Sequence, residues 1–92
     1  MTKALIDILE EERDLVQKID TLSSHIKLIS DRRVELLMRF TPEADYNYER
    51  SYLAYLQKDI DRMNAEKFTY QEKLVNTRRE LSGYINYLSE GE

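Results

Sequence analysis

Two heptad runs, parted by a single Thr41-Pro42-Glu43 interruption, occupy nearly all of this chain, and they do not share a phase. Counted from Leu5, the a and d positions of the first run are Leu5, Ile8, Glu12, Leu15, Ile19, Leu22, Ile26, Ile29, Arg33, Leu36 and Phe40. Only Glu12 and Arg33 break that stripe. The second run, counted from Tyr46, reads Tyr46, Glu49, Leu53, Leu56, Ile60, Met63, Lys67, Tyr70, Leu74, Thr77, Leu81, Tyr84 and Leu88. Spacings of three and four sustained over such lengths predict coiled-coil packing.

Carrying the first heptad forward sets an a position at Asn47, where the second run places Tyr46. One straight helix cannot hold both stripes on one face. Pro42 restricts Thr41 to extended geometry, and Thr at the N-cap, Pro at the first helical position and Glu43 in the first turn form a strong helix start. The expected fold is all-α: an antiparallel helical hairpin of two long, coiled-coil-like helices. It forms a single domain over residues 1–92, with helix 1 over about 2–39, a turn at 40–42 and helix 2 over about 42–88.

A reversal centred on position 41 pairs residues whose numbers sum to 82, which opposes each a of one run to a d of the other. Leu36 then faces Tyr46, Ile29 faces Leu53, Ile26 faces Leu56, Leu22 faces Ile60, Ile19 faces Met63 and Ile8 faces Leu74. Arg33 falls on Glu49 as an ion pair, and Glu12 falls on Tyr70, whose hydroxyl donates to the carboxylate. Polar layers of this kind reject shifted registers at some cost in stability. Leu15 against Lys67 and Leu5 against Thr77 are poorer matches, the lysine having to extend outward along its methylenes.

Each helix of a lone hairpin buries one stripe, so a further surface is expected to cover the remainder. Leu9, Val16 and Leu37 lie at e positions and widen the first stripe, while Tyr52, Tyr55, Ile85 and Tyr87 extend the second beyond its seam. In this register everything after Leu81 overhangs helix 1, leaving Tyr84, Ile85 and Leu88 unpaired. Dimerisation into a four-helix bundle through Leu9, Val16, Leu37, Leu81, Tyr84, Ile85 and Leu88 resolves both problems. Gly83 is also a candidate terminus for the second helix.

All seven tyrosines lie in the second half. Tyr48, Tyr52 and Tyr55 share a face at i, i+4 and i+7, and with Arg39 and Arg50 they have the composition of a protein-interaction hot spot. The alternative is nucleic-acid binding near the turn, in which the tyrosines stack on bases while Arg32, Arg39 and Arg50 hold phosphates. Asp45 and Glu49 interleave with that site, and the net charge of -4 opposes general duplex binding.

Catalytic chemistry is sparse. His25 stands alone at a g position, with neither a second histidine nor a cysteine to complete a metal site, and is expected to be part-buried on the helix surface. Asp59-Ile60-Asp61 lacks the glycine and following glutamate of a calcium loop, and Ser23, Ser24 and Ser30 have no identifiable base. The chain is expected to be non-enzymatic and to need no cofactor or metal. Lys18-Ile19-Asp20-Thr21-Leu22 followed by Asp31-Arg32-Arg33-Val34-Glu35-Leu36 resembles the first helix of the all-helical chorismate mutases, which makes a helical enzyme a remote alternative. The chain departs from that family in having no lysine between Arg39 and the turn and no second break after Pro42. No active-site residues carry over.

With no cysteine there is no disulfide framework, and no apolar run approaches the roughly 20 residues of a membrane span. The acidic N-terminal stretch, with Asp7, Glu10, Glu11, Glu12, Asp14 and Asp20 against Lys3, Arg13 and Lys18, lacks the pattern of a signal peptide. The reading is a cytoplasmic adaptor, assembly chaperone or small regulator that binds another protein, itself, or both, without membrane contact.

Overall fold

A computed structural model of the chain describes residues 4–39 and 47–90, with side chains from Arg50 to Leu88 in the second stretch. It contains two helices, α1 over Leu5–Met38 and α2 over Asn47–Glu90, packed along one another. No strand occurs among the described residues. At about 1.5 Å per residue, α2 alone spans roughly 66 Å. The molecule accordingly measures 73 × 21 × 15 Å.

Extended Ala4 precedes α1 without a side-chain cap; its carbonyl accepts the amides of Asp7 at 3.0 Å and Ile8 at 3.3 Å. At the other end the Arg39 amide donates to the Leu36 carbonyl at 3.2 Å. The predicted Thr41-Pro42-Glu43 helix start and the Arg33–Glu49 ion pair fall on positions outside the described residues or side chains. Gly83 does not end α2, which runs on to Glu90; no neighbouring atom lies within 4 Å of where a Cβ would stand.

The core is a single seam. Ile8, Leu15, Leu56, Ile60, Met63 and Leu74 are its buried apolar residues, with Thr77 buried among them. The Thr77 hydroxyl donates to the Lys73 carbonyl one turn back at 2.9 Å, so its burial leaves no polar atom unpaired.

The register differs from the expected one. Arg78 Nε donates to Glu12 Oε2 at 3.2 Å, and the Lys18 ammonium sits 5.3 Å from the Tyr70 ring centre. Those partner numbers sum to 90 and 88, so the helices run antiparallel with sums near 89, one heptad beyond 82. Helix 1's Glu12 therefore lies level with Thr77 and meets Arg78, not the Tyr70 hydroxyl. A slip of seven preserves every a-to-d pairing and sets Leu5 and Ile8 level with Tyr84 and Leu81. Those two residues are half-buried, and Ile8 is only 1% exposed. Of the expected overhang after Leu81, Tyr84 is thus taken into the hairpin's own seam while Ile85, Tyr87 and Leu88 stay exposed, because an added apolar layer outweighs the small added entropy of a longer connection.

Candidate interaction surface

In an antiparallel pair the g positions of both helices line one flank and the e positions line the other. The contacts follow this rule. Lys18 and Lys73, both at g, lie 5.3 and 5.7 Å from the Tyr70 ring centre, and a shallow groove beside them is lined by Asp14, Lys18, Glu66 and Tyr70. This flank is charged: its g column carries Glu11, Lys18, His25, Arg32 and Arg39 on α1, and Asp59, Glu66, Lys73 and Glu80 on α2.

Arg62 joins this flank between Asp59 at 2.8 Å and Glu66 at 3.3 Å. The hydrogen bond to Asp59, then the Asp59 and Glu66 charges, raise the guanidinium pKa above its ordinary value. His25 is exposed there rather than part-buried. No cluster of His, Cys, Asp and Glu among the described residues could hold a metal ion.

The opposite flank is nearly free of charge at its e positions. On α1 it carries Leu9, Val16, Ser23, Ser30 and Leu37; on α2, Gln57, Asn64, Gln71 and Ile85, with Arg50 and Arg78 as the only ions. Arg78 is paired with Glu12. The neighbouring b positions add Ile6, Val34, Phe68 and Val75, exposed at 61%, 47%, 60% and 49%, together with the ions Arg13, Asp20, Lys27 and Asp61. On α1 the b and e residues form a second seam at spacings of three and four. It begins with Ile6 and Leu9 and ends with Val34 and Leu37.

The expected site residues therefore divide. The Tyr52 and Tyr55 rings stack with centres 6.5 Å apart and planes at 10°, and they lie on the charged flank with Arg39. Tyr55 is 63% exposed, a large wet aromatic surface. Arg50, at e, is on the other flank, so it does not join them; the Tyr48 side chain lies outside the described set. Leu9, Val16, Leu37 and Ile85 share the uncharged flank, whereas Leu81 and Tyr84 belong to the seam. Leu88 is 55% exposed at the open end. Ile6, Val34, Phe68 and Val75 escaped the sequence reading because they are invisible until the e column is known to face outward as a stripe of its own.

No helix among the described residues is long and apolar enough to cross a membrane. Comparison with protein-family models, curated proteins and solved structures yields no match to the chain.

Proposed function

We propose that this protein is a non-enzymatic protein-interaction module, of the adaptor, assembly-chaperone or small-regulator kind. Its uncharged flank closes a four-helix bundle by dimerisation, and its stacked Tyr52–Tyr55 pair serves a foreign protein. The observation that carries the reading is the contrast between flanks: e columns nearly without charge, beside exposed Ile6, Leu9, Val34, Leu37, Phe68 and Val75. Exposed apolar residues aligned along one face mark an interaction site, while scattered ones need no explanation.

Surface area supports it. A compact monomer of 11.0 kDa exposes about 5,600 Å², whereas this chain exposes 7400 Å². The excess, roughly 1,800 Å² per copy, lies within the range of obligate dimer interfaces, which bury about 2,000–5,000 Å² in total.

Light scattering across a dilution series tests this reading. The expected result is a dimer that Tyr52→Ala and Tyr55→Ala leave intact, while both variants weaken capture of a foreign partner. A monomer at every concentration removes the bundle from the reading, and undiminished capture removes the tyrosine pair.

The nucleic-acid alternative draws on exposed Arg32 and Arg39 on the same flank as that pair, without Arg50, which lies on the other. It predicts binding of single-stranded RNA that falls steeply with salt. No shift at low salt rejects it.

A further inference from the structure

The second seam of α1 is palindromic at its two apolar ends. In chain order it reads Ile6, Leu9, Arg13, Val16, Asp20, Ser23, Lys27, Ser30, Val34, Leu37. Reversed upon itself, it sets Ile6 against Leu37 and Leu9 against Val34 at the ends and Arg13 against Ser30 and Val16 against Lys27 between them, each pair summing to 43. Asp20 then falls level with Ser23 and within about one turn of Lys27, which offsets its charge. With the copies running in opposite directions the apolar ends meet and no ion lies level with its own counterpart, whereas a parallel alignment in register stacks Arg13, Asp20 and Lys27 each on itself.

We propose that the occupant of the uncharged flank is a second copy of this chain, related by a two-fold axis perpendicular to the helices. α1 then runs antiparallel to α1 of the second copy, with Ile6 on its Leu37 and Leu9 on its Val34. This rests on the interaction-module reading and gives it a geometry. Three observations select a second copy rather than a foreign helix.

The first is the self-complementarity of the apolar ends, which an isologous interface requires and a heterologous one does not. The second is charge. Each copy carries -4, yet the facing e columns hold no carboxylate; on the α1 seam only Asp20 does, set off by about 4.5 Å along the axis from its counterpart and within about one turn of Lys27 on the second copy. The third comes from α2 independently. The axis crosses α1 midway between residues 21 and 22, and the seam register of 88 to 90 carries that level to 66.5 to 68.5 on α2. Phe68, a 60% exposed aromatic on the same flank, stands there, where it would pack on Phe68 of the second copy. The same level also opposes Asn64 to Gln71 and Arg50 to Ile85 across the axis, without uniting two ions of one sign.

The chain has no cysteine, so engineered thiols report the geometry against a clean background. The test is oxidation of three variants of the full chain: Leu9→Cys with Val34→Cys, Leu9→Cys alone, and Phe68→Cys alone. These residues are exposed, and circular dichroism checks that helicity is kept. Within one α1, positions 9 and 34 are roughly 37 Å apart and cannot bridge. The expected result is a covalent dimer from the double variant and from Phe68→Cys, with the Leu9→Cys variant remaining at monomer mass.

A dimer by light scattering in which Leu9→Cys alone cross-links, or in which the double variant does not, overturns the antiparallel pairing and leaves the interaction-module reading standing. A wild-type chain that stays monomeric at all concentrations overturns the second copy as occupant and assigns the flank to another protein. Failure of the reading and failure of the geometry are therefore distinct results.

Discussion

The two flanks of the hairpin are built on the same seam, from the same pair of helices, yet the g positions of one are mostly ions and the e positions of the other are mostly leucine, valine, serine and amides. On the charged flank, Arg62 bridges Asp59 and Glu66, and Lys18 and Lys73 bracket the Tyr70 ring. These groups are satisfied locally and in water. The uncharged flank leaves exposed apolar groups that nothing among the described residues covers. A coiled-coil pair can thus carry its specificity on one side and its capacity for association on the other, because e and g columns are separated by the width of the seam.

Four experiments would sharpen or break that contrast, from the largest effect to the smallest. Ile8 is 1% exposed in the seam common to both flanks, so Ile8→Ala should destabilise the chain by about 2–5 kcal/mol. Urea denaturation measures this; a loss below that range would mean that the open end of the seam is not closed by Leu81 and Tyr84.

Next, paired lysines distinguish the flanks directly. Leu9→Lys with Leu37→Lys should abolish the dimer and remove the dependence of the unfolding midpoint on protein concentration. Replacing Arg32 and Arg62 by lysine on the charged flank should leave that dependence unchanged. Equal effects from both pairs would erase the distinction between the two sides.

The Glu12–Arg78 contact reports the register. A double-mutant cycle with Glu12→Gln and Arg78→Gln should give a coupling of about 0.2–1 kcal/mol, the range for part-exposed ion pairs. A coupling of zero, alongside one between Glu12 and Tyr70, would restore the register summing to 82. Last, Gly83 sits within a helix with open space around it. Gly83→Ala should therefore stabilise the protein by about 0.5–1 kcal/mol in the same assay.

Much of the fold was legible in the chain. The three-and-four spacing from Leu5 to Leu36 and from Leu53 to Tyr84 fixes two long helices, and their mismatched phase requires that they face one another as a pair. Candidate surface residues were legible where they stood beside the seam: Leu9, Val16 and Leu37 are on the uncharged flank, and Tyr52 and Tyr55 stack. Arg50 could not be separated from the tyrosines by sequence, because positions two apart look adjacent until their flanks are known.

The division of labour between sequence and tertiary structure has one physical cause. Helix type, length and seam composition depend on local spacing, and the sequence by itself determined them. Register does not: sliding one helix by seven residues returns every a to a d, so the pattern fits sums of 82 and 89 equally. Only packing chose between them, by closing Leu81 and Tyr84 over Ile8 and Leu5 and by giving Glu12 to Arg78.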